Sequence, residues 1–192
     1  MNLKEFYKSE FQEHQDVLIK TEKAVEDSFY SLVNACVSAL KKGGKIILMG
    51  NGGSASDAQH LATELTVRYK EDRAAIAAIS LSTDTSALTA IGNDFGFEFL
   101  FSRQIEAIAK PEDFIIGITT SGKSPNVIKG FEQADKMGIQ YGALSGKDGG
   151  DIKDIKGPLL IVPSNTTARI QEMHIMLGQM LCNAIEYELG LI

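Results

Sequence analysis

Cysteine is nearly absent, with only Cys36 and Cys182 in 192 residues. The two lie far apart in helical patterns, which excludes a disulfide framework or a metal knuckle and leaves two small buried thiols. No run approaches about 18 consecutive apolar residues, so no membrane-spanning helix is expected. The opening MNLKEFYKSEF is charged throughout and lacks the apolar core of a secretory leader; the chain is expected in the cytoplasm, away from membranes. Lys/Arg blocks are missing too, and no aromatic-plus-basic strip offers stacking platforms beside phosphate-neutralising groups. With a net charge of −6, nucleic acid is not an expected partner. Internal repeats, low-complexity runs and linkers are also lacking. A hydrophobic content of 44% then supports one core, and the expectation is a single domain spanning 1–192.

The apolar residues between Leu3 and Leu40 fall mostly three and four apart until Lys41-Lys42-Gly43-Gly44. This predicts an N-terminal helical segment over 1–43, either two helices or one long bent one, closed by lysines and glycines suited to a helix C-terminus. Short β-rich runs follow at 45–50, 74–81, 114–119, 139–144 and 159–162. They are continuously apolar, as strands covered on both faces must be. Helical patterns separate them, so the expected fold is α/β: a doubly wound, parallel, five-stranded sheet flanked by helices. The last helical pattern, from about Thr167 to Leu189, is apolar on two faces, with Ile170, Met173, Leu177, Met180, Leu181 and Ala184 in one stripe and Ile175, Gly178 and Cys182 opposite. Two faces need two covering surfaces, and a layer buried between subunits is one way to supply them.

In such a sheet ligands bind beyond the carboxyl ends of the strands, and two candidate loops fall there. Gly50-Asn51-Gly52-Gly53-Ser54 follows the first strand and opens a helix, where glycines admit a ligand to the backbone and free N–H groups favour an anion. Thr119-Thr120-Ser121-Gly122-Lys123-Ser124 follows another strand and adds hydroxyls. Each by itself also reads as a plain strand-to-helix turn. Neither matches GxxxxGK[ST] or a GxGxxG fingerprint with its distant acid, so a sugar phosphate fits better than a nucleotide. On the helix after the first loop His60 and Glu64 stand at i, i+4, with Asp57 and Arg68 extending their face. That spacing serves either a solvated ion pair or a metal or acid–base site.

GNGGSASDAQH at 50–60, IGNDFGF at 91–97, TTSGKSPNVI at 119–128 and ARIQEMHI at 168–175 together resemble the sugar isomerase (SIS) family, and within it the phosphoheptose isomerases. The likeness runs from about Lys45 to Cys182. It implies an aldose–ketose isomerase that interconverts sedoheptulose 7-phosphate and D-glycero-D-manno-heptose 7-phosphate through an enediol, for bacterial lipopolysaccharide or capsule. By resemblance Asn51, Gly52 and Gly53 bind substrate, Asn93 and Asp94 meet sugar hydroxyls from a loop, and Thr119, Thr120, Ser121 and Ser124 cradle the phosphate. His60, Glu64 and Gln171 match zinc-binding positions, one ion per subunit. Gln171 also belongs to the substrate site, and Glu64 is the proton-transfer carboxylate. The family's remaining ligand is a histidine eight residues after the helix glutamine. Here that position is Gln179, which leaves the catalytic and metal role of the site with an amide that cannot titrate. His174 matches a structural histidine of the QEMH motif.

The implied assembly is a homotetramer with sites at subunit boundaries. Gln171 and Gln179 are about 12 Å apart along a helix at 1.5 Å per residue, which favours copies of this helix from neighbouring subunits each supplying one. The other class of reading is a non-catalytic adaptor for a replication initiator protein, because SIS adaptors keep the fold and the ARIQEMH motif but lack the histidine.

Overall fold

The computed structural model describes residues 2–192. Helix α1 (Leu3–Lys41) is one continuous helix, which decides between the two N-terminal expectations. Its 39 residues contain neither proline nor glycine, so nothing removes a hydrogen bond or relaxes the backbone to break it. A capping box starts it: the Asn2 side chain accepts from the Glu5 N–H, and the Glu5 carboxylate accepts from the Asn2 N–H, each at 3.0 Å.

Strands β1 (Ile46–Gly50), β2 (Ala78–Ser80), β3 (Phe114–Ile118), β4 (Gln140–Gly146) and β5 (Leu159–Val162) alternate with α2 (Gly53–Thr66), α3 (Thr85–Asp94), α4 (Leu100–Ile108), α5 (Pro125–Met137) and α6 (Thr167–Glu188). All pairings are parallel, in the order β2-β1-β3-β4-β5. The sheet is covered on both faces. Ile46, Leu48, Phe114, Ile116, Leu144 and Leu160 point into the layer of α1, α2 and α6. Ile47, Met49, Ile115, Tyr141 and Ala143 point into the layer of α4 and α5. This two-sided burial explains why the strands read as unbroken apolar runs.

β2 is shorter than its apolar run. It is an edge strand, and the chain just before it is committed elsewhere: the Ile76 N–H donates to Leu65 O and Ala74 O accepts from Arg73, both at 3.0 Å. The order reverses at β1, with β2 on one side and β3 on the other, so a crevice opens beyond Gly50 and Ile118, which are register partners.

Helix α6 contacts both α1 and α2 within one chain. Gly178 and Cys182, on the side opposite the main apolar stripe, are buried, so part of the second face is covered internally. Met180, expected in the stripe, is instead 47% exposed. It lines a groove of about 460 Å³ between α1 and α6 with Leu18, Val25, Phe29, Tyr30 and Met176. Among the described residues no helix is long and apolar enough to cross a membrane.

Candidate active site

The first loop is shaped by glycine. Gly52, the N-cap of α2, sits at φ 55°, ψ −121°, a conformation that side chains disfavour strongly. Gly53 leaves room for Gln171: a Cβ there would stand 2.5 Å from the Gln171 amide nitrogen. No side chain caps α2, so its first N–H groups are free for an anion or a hydroxyl. The Asn51 side chain is not free. It exchanges two hydrogen bonds of 2.8 Å with Asn126, which leaves the Asn51 backbone to face a ligand. Asn126 is 1% exposed and also accepts from the Val127 N–H at 3.0 Å. It joins the loop after β1 to the first turn of α5, a link that no local pattern marks: a polar residue in a helix's first turn ordinarily serves that helix alone.

The second loop ends at Ser124, the N-cap of α5, followed by Pro125 at the first helical position. Ser124 makes no side-chain cap; its hydroxyl lies 3.1 Å from that of Thr119. The Ser121 hydroxyl accepts from the Lys123 N–H at 3.2 Å. Gly122, at φ 65°, packs where a Cβ would collide with the Gly149 carbonyl, and its own carbonyl accepts from the Asp151 N–H at 3.0 Å. The loop that carries Thr119, Thr120, Ser121 and Ser124 is thus braced by the turn after β4.

Asn93 and Asp94 depart from expectation. They are the last residues of α3, not part of a loop; both are exposed, and Asn93 Nδ2 donates to Asp94 Oδ1 at 2.7 Å. The helical spacing of Ala87, Leu88 and Ile91 carries α3 to its end before Gly96 turns the chain, at φ 103°.

On α2, His60 Nε2 lies 2.9 Å from Glu64 Oε1. Helix α6 runs alongside in the same direction: Gln171 lies beside Gly53, Gly178 against Leu61, and Gln179 Nε2 is 3.4 Å from His60 Nε2. Gln179 therefore reaches His60 within one chain, and no second copy is needed for that contact. The helical rise that separates Gln171 from Gln179 is matched by the parallel rise from Gly53 to His60. One ring nitrogen cannot both donate to Glu64 and accept from the amide. Turning the Gln179 amide end for end brings its Oε1 to His60 and removes the conflict.

Asp57, on the same helix, has its carboxyl raised above the usual range by burial, with His60 opposing the shift. Its Oδ2 is buried without a hydrogen-bond partner among the described residues. His174 is a structural residue, as expected. Its Nε2–H donates to Ser145 O at 2.9 Å, and burial lowers its pKa to about 4. Among the described residues no three His, Cys, Asp or Glu side chains cluster as a metal site. The donors that meet here are one imidazole, one carboxylate and the Gln179 amide, while Gln171 of the same chain lies beside Gly53. With the Gln179 oxygen turned inward these three supply N and O donors suited to zinc, more weakly than a set with a second imidazole.

A parallel five-stranded sheet in the order β2-β1-β3-β4-β5, flanked by helices and with two strand-to-helix loops at its switch point, is the fold of a SIS domain, and the SIS domain family model matches residues 8–146. The phosphoheptose isomerase of Paramagnetospirillum magneticum is 53% identical over 186 residues, covering 97% of each chain. That of Helicobacter pylori strain P12 is 51% identical over 177 residues, covering 92% of each. The solved phosphoheptose isomerase of Neisseria gonorrhoeae superimposes with a TM-score of 0.91 at 41% identity, covering 97% of this chain and all of that one. The chain belongs to the SIS domain family and, within it, to the phosphoheptose isomerases.

Proposed function

We propose that this chain converts sedoheptulose 7-phosphate to D-glycero-D-manno-heptose 7-phosphate, for bacterial lipopolysaccharide or capsule. The observation that carries the reading is a carboxylate, Glu64, held by His60 on a helix that opens at one ligand loop beside a second, hydroxyl-rich loop. The phosphate rests on the α5 N-terminus with Thr119, Thr120, Ser121 and Ser124. The sugar runs toward the backbone of Asn51, Gly52 and Gly53 and the Gln171 amide, with Asn93 and Asp94 at its hydroxyls. Glu64 takes the proton from C1 of the ketose and returns it to C2, while the O1 proton passes to O2. Gln179 cannot titrate, so the oxygen proton is handed on by His60. His60, Glu64 and Gln179 would hold zinc, with Gln171 supplied by a neighbouring copy of α6, and the bound ion would polarise the substrate carbonyl.

The chain is proposed as one domain over 1–192, cytoplasmic and tetrameric, with no nucleic acid or membrane partner. Deuterium exchange of the substrate proton from heavy water tests the chemistry: Glu64→Gln should abolish exchange and turnover while the fold persists. Exchange at the parent rate would remove Glu64 as the base. No turnover by the parent, with tight binding of an initiator protein, would favour the adaptor class instead.

A further inference from the structure

The C-terminal end of α2 lacks the usual devices. Its C-cap is Val67 at φ −101°, with no left-handed glycine to turn the chain, and Val67 N–H satisfies only the Thr63 carbonyl. Arg73, beyond the helix, takes up the carbonyls left over. Its guanidinium donates to Glu64 O at 2.8 Å, Leu65 O at 2.8 Å, Ala74 O at 3.0 Å and Val67 O at 3.3 Å. From its other edge Nε donates to Glu186 Oε1 at 2.8 Å, and Nη2 stands 2.6 Å from the same oxygen in an ion pair. The same oxygen accepts from the Tyr69 N–H at 3.2 Å. Both side chains are fully enclosed, at 1% and 0% exposure.

Glu186 stands on α6, two turns beyond Gln179. One guanidinium therefore joins the main chain of Glu64 itself to the helix that carries Gln171 and Gln179. A buried ion pair is poor evidence of stability, because desolvation offsets its attraction. A planar fork with five fixed donors is strong evidence of imposed geometry. Near the other end of the two helices Gly53 and Gln171 are in contact. Between these fastenings lie His60, Glu64 and Gln179.

We propose that Arg73, acting through Glu186, is a positioning residue that sets Glu64 and His60 against Gln179 for proton transfer. The proposal rests on the isomerase reading of this site. Arg73→Lys keeps a cation but not the fork. Its kcat on sedoheptulose 7-phosphate should fall about tenfold to a hundredfold, as displacements on the order of 1 Å do, with KM within about threefold because the phosphate cradle is untouched. Arg73→Ala should lose as much, and guanidinium salt below denaturing concentration should restore at least part of kcat by refilling the vacated space. Amide hydrogen exchange at residues 64–69 should quicken in both variants. If Arg73→Ala does not fold, the lysine variant with its measured melting temperature carries the test. Parent kcat in folded Arg73→Lys, a loss confined to KM, or unchanged exchange at residues 64–69 would each overturn the proposal. A parent enzyme that turns over no heptose phosphate overturns the functional reading instead, and the exchange measurement still decides the role of Arg73.

Discussion

At the level of single side chains, His60 Nε2 stands 2.9 Å from the Glu64 carboxylate and 3.4 Å from the Gln179 amide nitrogen. Replacing that amide by imidazole supplies a second nitrogen donor and a group able to pass protons near neutral pH. Gln179→His should therefore raise both zinc content after dialysis and the isomerisation rate, and a variant with neither gain would place residue 179 outside the working site. His174 has a different consequence. Its pKa is lowered to about 4 by burial, from about 6.5 in the unfolded chain. The unfolded state thus takes up a proton first as pH falls, and stability present above pH 6.5 is lost progressively toward pH 4. The loss should be on the order of 3 kcal/mol. Denaturant midpoints at pH 7 and pH 4.5 for the parent and His174→Asn should show a smaller acid loss in the variant. The pairing of His60 with Glu64 was legible from their spacing alone, because residues four apart on a helix share a face. Asn126 and Arg73 were not, since their partners Asn51 and Glu186 are remote in sequence and no local pattern marks them.

Among the elements, α2 and α6 decide the site. They lie side by side at Gly178, where a Cβ would come 2.4 Å from Leu61 Cδ1. A branched side chain at that point forces the helices apart. Gly178→Val should destabilise the fold by about 1–3 kcal/mol, as overpacking does, and should reduce kcat by drawing Gln179 from His60. Parent activity in the folded variant would mean that the α2–α6 spacing does not matter to the chemistry. The sequence marked α6 as apolar on two faces but not which neighbours cover them. One covering surface is α2 of the same chain, and Met180, in the predicted stripe, faces an open groove with α1. The displacement of Asn93 and Asp94 onto the end of α3 has a similar origin, for loop and frayed helix end look alike without the tertiary contacts that extend the helix.

For the whole molecule, the exposed side chains of Leu3, Phe6, Tyr7 and Phe11 on α1, and the groove at Met180, leave more apolar surface than a monomer needs. The proposed tetramer would bury it. Light scattering at micromolar concentration should give the mass of four chains, and Met180→Glu should shift it to smaller species. A monomeric, fully active parent would contradict the assembly.

Composition and periodicity by themselves determined the parallel α/β class, the five strands to within a few residues and the two loops that follow β1 and β3, because burial on both faces and the turn chemistry of glycine are local properties. His60 and Glu64 belong with these, since one helix turn joins them. The tertiary structure alone decided that Gln179 meets His60 within one chain, that Asn51 is occupied by Asn126, and that Arg73 closes α2. Each of these joins residues far apart in the chain. Their partners are chosen by how the helices and loops pack on the twisted sheet, a choice that residue spacing does not encode.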